Sequence, residues 1–236
     1  MTLILVVIPT LGRPSRLRPL AENIRDATKS PVRTLFVIED EDDASLGAVT
    51  DLVQDGLARL TWNARKRNWS GAVNSGYATA ASLGYPFTHV LAGADDLRFA
   101  DGWDVPVLDM LDRDPLLRVT GTNDLHNAAV LSGQEATAYL IDRRYIDGPG
   151  GVAGQPPGIV QCEDYRHNFT DTEFVCTARA RGVWSPCLDS VVEHRHPAFG
   201  LADWDDGYRM SQDPAGFAAD AAVFAARRHL WENAVP

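Results

Sequence analysis

The stretch HVLAGADDLRF, residues 89–99, runs from an apolar strand straight into two adjacent acids, Asp95 and Asp96. Neighbouring residues on an extended chain point to opposite faces, so the pair is expected to divide its work. One carboxylate would face a metal ion while the other accepts hydrogen bonds from a ligand hydroxyl or orients the turn. Further along, VEHRHP holds His194 and His196 at a spacing that puts both on one side of an extended segment, where one imidazole is enough to reach the same ion. Carboxylate with imidazole favours Mn2+ over Mg2+ and admits either. The stretch QCEDYRHNFTDTEF carries Glu163, Asp164, Asp171 and Glu173. Asp171 stands where a helix is expected to begin. There a carboxylate either caps the helix or, aimed into a cleft, stays ionised as a general base must.

Residues so far apart in the chain need a scaffold that gathers strand ends. LILVVIPT is a continuous apolar run stopped by Pro9, the pattern of a strand buried on both faces of a parallel sheet. LGRPSRLRPLAENIRDAT follows with Leu17, Leu20, Ile24 and Ala27 at helical spacing, and Pro14 and Ser15 suit its start. RTLFVIEDEDD is a second strand ending in acids, among them Glu39 and Asp40. LARLTWNA is a short third strand, GAVNSGYATAASLG a small-residue helix able to pack closely on the sheet, and FTHVLAGADD the fourth strand. This alternation predicts an α/β fold with a mostly parallel sheet and ligands at the C-terminal strand ends.

The second half is less regular. VLDMLDRDP reads as a helix, LLRVTGTND and EATAYLIDRRYI as strands, and DGPGGVAGQPPG as a mobile loop with little to bury. DTEFVCTARARG reads as a helix closed by Gly182, and DPAGFAADAAVFAARRHLW as a final amphipathic helix. With no repeat and no clear linker, residues 1–236 are expected to form one domain, its nucleotide-binding half about 1–100 and its acceptor-binding half about 101–236.

Composition narrows the functional classes. A net charge of −10 argues against coating nucleic acid or an anionic membrane through a broad basic face. Cys162, Cys176 and Cys187 include no CxxC pair, which points away from disulfides and structural zinc and toward a reducing, cytoplasmic setting. The longest N-terminal apolar run, LILVVI, is too short to span a bilayer, so no membrane insertion is expected. GxGxxG is missing after the first strand and GxxxxGK is missing throughout, which excludes a dinucleotide fingerprint and a P-loop.

Taken in order, VVIPTLGRP, the acid-ended second strand, NWSGAVNSGYATA, LAGADD, the DTEF…ARARG helix and EHRHP resemble glycosyltransferase family 2 from Leu3 to about Pro197. The resemblance implies a GT-A-type, Rossmann-like sheet flanked by helices in a single domain, a nucleotide-diphosphate sugar as donor, Mn2+ or Mg2+, and inversion at the transferred sugar. It places Pro9, Thr10 and Arg13 in the first nucleotide-binding loop, Glu39 or Asp40 at the base, and Gly71, Asn74 and Gly76 against the nucleotide. Asp95 would sit with the donor and share the metal motif with Asp96. His194, or alternatively His196, would complete the ligands, and Asp171, or alternatively Asp164, would be the catalytic base. Gly93 stands where the family often has a further acid. The acceptor would be a hydroxyl of a glycan, a protein or a hydroxylated DNA base. It would lie over TGTNDLHN and the glycine-rich loop, with Asn123 and His126 as hydrogen-bonding candidates and Tyr145 or Trp184 as stacking candidates. Arg65, Lys66 and Arg67 would hold phosphates or form a solvated face. The rival expectations are a sugar nucleotidyltransferase on the same rim and an idle nucleotide- or glycan-binding protein.

Overall fold

The computed structural model describes residues 2–232. In chain order the elements are β1 (Ile4–Thr10), α1 (Pro14–Ala27), β2 (Val32–Ile38), α2 (Asp43–Gln54), β3 (Arg59–Trp62), α3 (Trp69–Ser82), β4 (His89–Ala92) and β5 (Leu97–Phe99). The second half adds α4 (Asp104–Arg113), β6 (Val119–Asn123), α5 (Ala128–Leu131), β7 (Tyr139–Asp142), α6 (Arg143–Asp147), α7 (Thr170–Ala180) and β8 (Trp184–His194). A 3-10 turn at Pro197–Phe199 leads to α8 (Asp206–Ser211), α9 (Pro214–Arg227) and α10 (His229–Glu232).

The strands form one sheet of eight in the order β3-β2-β1-β4-β7-β6-β8-β5. β1 pairs in parallel with β2 and β4, and β2 with β3, while β7 runs antiparallel to both β4 and β6. β8 is parallel to β6, and β5 closes the edge antiparallel to β8. The unbroken apolar run of β1 follows from this burial. Ile4, Val6 and Ile8 enter a core shared with α1, α2 and α4, whereas Leu5 and Val7 enter a second core shared with α3, α6 and α7. A strand with helices on both faces needs apolar side chains at every position.

Several expectations are corrected. Pro9 lies inside β1 rather than stopping it, in register with Val37. Ladder pairing with β4 has already ended at Val7 and Ala92, so the missing N–H leaves no gap on that side. The acids after β2 also start a helix unread in the sequence: Asp42 caps α2 by accepting from the Ser45 amide (3.1 Å) and also accepts from the Gly12 amide (2.7 Å), tying the first two strand-end loops together. EATAYLIDRRYI is strand only over β7, because the Asp142 carboxylate accepts from the Arg144 amide and turns the chain into α6. The glycine-rich stretch is packed, not a mobile loop. A Cβ on Gly151 would come within 2.1 Å of the Val160 carbonyl oxygen, and Val152 is fully buried. Its glycines allow close backbone approach rather than motion.

Candidate active site

β1, β4 and β8 bring their ends together at one edge of the sheet, and the acids of β4's exit sit between them. Asp95 and Asp96 are only 6% and 8% exposed. Their surroundings differ. Asp95 has both oxygens engaged, Oδ1 by Arg13 Nη1 at 2.7 Å and Oδ2 by the Thr10 hydroxyl at 3.0 Å. Burial and the neighbouring Asp96 charge push its carboxyl up, against the pull of Arg13. Asp96 accepts from the Tyr208 hydroxyl (2.8 Å) through Oδ2, which also lies 3.2 Å from His194 Nε2. Burial would raise its pKa, but His194, Tyr208 and Arg13 outweigh burial and hold it at about 2. Burial works against the His194 charge as well, and Asp96 more than compensates, raising the imidazole above its ordinary value.

The segment after β8 folds back over this rim. Arg13 donates from Nε and Nη2 to the two oxygens of Asp205 at 2.8 Å each, a fork that matches the carboxylate plane. Its guanidinium lies 3.9 Å from the centre of the Tyr208 ring. Arg13 therefore links the β1 loop, the β4 acid and α8. Asp205 and Tyr208 were not anticipated. The signal for them was a short cluster of acids and aromatics, ADWDDGY, and such clusters do not announce a distant partner.

Asp171 occupies the first turn of α7. The chain enters this helix through Phe169, held at a left-handed φ of 65° that costs a non-glycine residue energy. α9 supplies the compensation. Buried Asp220 accepts from the amides of Arg166, His167 and Asn168 at 2.7, 3.0 and 2.7 Å, and Phe217 and Phe224 pack on the Phe169 ring. Farther along α7, fully buried Glu173 receives a forked ion pair from Arg227 of the same α9. So fixed, Asp171 accepts from the Tyr139 hydroxyl at 3.0 Å, and Tyr139 accepts in turn from Gln161. Asp171 is half-buried as a whole residue, yet its carboxyl is packed among protein atoms, and desolvation pushes it up to about 7, with Tyr139 and the nearby His194 charge pulling the other way. The coupling runs in both directions, since Asp171 helps raise His194. Tyr139 and Gln161 were also unanticipated, being apolar-run and loop residues by pattern.

The other expected positions fall in several places. Glu39 accepts from the Asn63 amide group at 2.7 Å beside the β3 end, and Asp40 is exposed. Gly76 is corrected from a nucleotide contact to a packing position: a Cβ there would stand 2.5 Å from Val7 and 2.8 Å from Val37, so α3 rests directly on β1 and β2. A Cβ on Gly71 would meet the Lys66 carbonyl oxygen at 2.0 Å. Asn74 is likewise turned inward. It donates to the Gln161 carbonyl and Glu163 and accepts from the Val160 and Gln161 amides, which uses its full capacity. Asp164 is a solvated side chain whose nearest cation, 3.8 Å away, is Arg227. His196 accepts from the Ala198 amide at 3.1 Å and caps the 3-10 turn.

Of the acceptor candidates, Asn123 donates to the Leu188 carbonyl, His126 lies 3.2 Å from Glu193, and Tyr145 is buried against Gly151. The Trp184 ring fills the space a side chain on Gly121 would need. Arg65 and Arg67 pair with Glu163 and Glu41 at the surface.

Among the described residues no group of three His, Cys, Asp or Glu stands ready to hold a metal ion. Two of the expected ligands, Asp96 and His194, do meet. Asp96 Oδ1 is buried without a partner, and so is His194 Nδ1, which leaves Nε2 as the nitrogen facing Asp96. The 3.2 Å between His194 Nε2 and Asp96 Oδ2 is about the separation of adjacent ligands on an octahedral ion with bonds of about 2.1 Å. Each oxygen of Asp95 already accepts one hydrogen bond, so it has less capacity left than Asp96 Oδ1. Gly93 faces apolar side chains. A Cβ there would stand 2.6 Å from Ile8 and 3.2 Å from Leu91, so a carboxylate would begin among apolar side chains.

No known family model matches the chain by sequence, and no curated protein does. Solved structures do match. The mannosyltransferase PcManGT from Pyrobaculum calidifontis, in complex with GDP-Man and Mn2+, aligns at a TM-score of 0.61 and 15% identity over 95% of this chain and 74% of that one. S. aureus TarS 1-349, in complex with UDP, aligns at 0.61 and 12% identity over 81% of this chain, which spans 59% of TarS 1-349. Glucosyl-3-phosphoglycerate synthase from Mycobacterium tuberculosis, in complex with Mn2+, UDP-Glc and phosphoglyceric acid, aligns at 0.59 and 10% identity over 83% of this chain and 72% of that one. The chain has the GT-A-type α/β fold of these proteins. No helix among the described residues is long and apolar enough to cross a membrane.

Proposed function

We propose that the chain is an inverting, metal-dependent glycosyltransferase that moves a sugar from a nucleotide-diphosphate sugar to an acceptor hydroxyl. One arrangement carries this reading: Asp171, held by the Tyr139 hydroxyl at 3.0 Å and pushed up to about 7 chiefly by desolvation, feels the charge of His194, whose Nε2 lies 3.2 Å from Asp96. Two acids whose surroundings drive their pKa values apart take different roles, one as a permanent anion and one as a proton acceptor near neutral pH. The likeness to structures solved with GDP-Man, UDP-Glc, UDP and Mn2+ supports the class of donor and metal.

In this reading Asp96 and His194 hold the divalent ion. When bound, the ion screens the charge that builds on the departing diphosphate. Thr10 and Arg13 hold Asp95 in place at the donor edge. Asp171 takes the proton of the acceptor hydroxyl as that oxygen bonds to the anomeric carbon from the face opposite the diphosphate. The electron pair of the broken carbon–oxygen bond leaves with the diphosphate, so one bond forms as one breaks and the sugar inverts. Tyr139 keeps Asp171 oriented and limits how far burial raises its pKa. The three free cysteines fit a reducing, cytoplasmic setting.

The test uses purified protein, Mn2+ and a panel of nucleotide sugars. Slow release of nucleoside diphosphate, or a donor-dependent rise in melting temperature, is expected with at least one donor. Silence across the whole panel in both measurements would sink the proposal.

A further inference from the structure

Beside the acid rim a cavity of about 620 Å³ opens between α1, the β5 strand and residues 201–203. Its lining includes three arginines, Arg16, Arg98 and Arg195, and an apolar wall that includes Pro19 and Leu201. In a chain of net charge −10 most arginines are expected to sit on carboxylates, and many here do. Arg98 and Arg195 do not: among the described residues neither forms an ion pair or a side-chain hydrogen bond, whereas Arg16 reaches Tyr208 and Asp205. The β5–β8 ladder places both close to the reaction rim. The Arg195 amide donates to the Asp96 carbonyl at 2.9 Å, one step beyond the Leu97–His194 pair, and Arg98, on β5, is two residues from Asp96 in the chain. The acids that share the lining do not neutralise the two. Asp95 is engaged by Arg13 and Thr10, Asp96 by Tyr208 and His194, and only Asp203 is left.

We propose that this cavity receives an anionic group of the acceptor, a phosphate or a carboxylate, held by Arg98 and Arg195 while the acceptor's hydroxyl faces the transfer site. The proposal rests on the glycosyl-transfer reading and names the substrate class for it. Two guanidinium groups suit such a group because their planar forks match phosphate and carboxylate oxygens. The apolar wall would take the acceptor's carbon skeleton, and Asp203 would disfavour acceptors with a second negative charge on that side.

The experiment titrates the full chain with glycerol 3-phosphate, inorganic phosphate and glycerol by calorimetry, and separately with UDP and GDP in the presence of Mn2+. Each titration is repeated on the Arg98→Ala/Arg195→Ala and Arg98→Lys/Arg195→Lys variants, whose folding is checked by thermal melting. Wild type is expected to bind both phosphates and not glycerol. The alanine pair should weaken phosphate binding by about tenfold or more, with partial recovery in the lysine pair, while UDP or GDP affinity stays within about twofold. The proposal is overturned if wild type ignores both phosphates, or if the alanine pair binds them equally well. It is also overturned if UDP and GDP affinity falls in step, which would assign the arginines to the donor diphosphate. If phosphate binding behaves as expected but no nucleotide or nucleotide sugar binds wild type, the transfer reading fails and an anion site remains.

Discussion

The exit of β4 and the entrance of α7 hold carboxylates of opposite habit. At β4 the chain surrounds Asp96 with an imidazole, a phenol and a nearby guanidinium, and the acid stays ionised to about pH 2 despite deep burial. At α7 it offers Asp171 one phenol in otherwise desolvating surroundings, and the same functional group is pushed up to about 7. The lesson is that burial alone does not set a carboxylate's role; the number of donors and cations brought to it does. The two regions also differ in how they are fixed. Asp95 and Asp96 leave a short central strand whose neighbours are close in the fold, whereas Asp171 depends on α9, which is far along the chain and holds Phe169 in its unfavourable conformation through Asp220.

The contrast is broken most severely at Asp171. Asp171→Asn removes the proton acceptor and is expected to lower kcat by about 10²–10⁴-fold, with nucleotide binding retained. Steady-state turnover alongside calorimetry with UDP or GDP checks this, and undiminished turnover would refute the base assignment. Asp96→Ala removes the permanent anion. Metal affinity should fall by more than about 100-fold, read by Mn2+ titration, while the melting curve keeps its cooperativity.

A smaller change sharpens the comparison. In wild type, kcat/KM should rise with pH through about 7, since only ionised Asp171 accepts a proton. Stability should move the other way. The folded protein binds this proton more tightly than an unfolded carboxyl near 3.8, so the contribution is full below that pH and is lost as pH rises through about 7. Tyr139→Phe deletes a hydrogen bond to the ionised form. It should move the activity midpoint up by on the order of one pH unit, and an unmoved profile would mean that Tyr139 only packs.

Gly76→Ala tests the packing role against a ligand role. It should destabilise the fold by about 1–3 kcal/mol in denaturant titration, because Val7 and Val37 must give way, and should leave nucleotide affinity unchanged in the folded fraction. The smallest effect is expected from replacing Arg65, Lys66 and Arg67 together with alanine. As exposed side chains they should leave the melting temperature nearly unchanged, and a large loss of donor affinity would instead place them in the site.

Much of the first half was legible in sequence because its signals are local. The apolar run of β1, the helical spacing of Leu17, Leu20 and Ile24, and the abrupt acids after β4 each report burial at their own position. α2 was not, because its capping acid looked like one more strand-end charge and its tie to Gly12 spans two loops. The glycine-rich stretch misled for a related reason. Glycine licenses either mobility or close approach, and only the neighbouring Val160 backbone decides between them.

From residue order alone came the alternating α/β plan, the burial of β1 on both faces, and the emergence of Asp95 and Asp96 at a strand end. These follow from hydrophobic periodicity, which is written residue by residue. Tertiary structure decided which of the two acids keeps an oxygen free, that Tyr208 and Asp205 close over them, and that Tyr139 restrains Asp171. Those partners meet across separations of 32 to 192 residues. A pattern along the chain states that a side chain is buried, but the charge it carries there depends on groups that only folding brings within hydrogen-bonding distance.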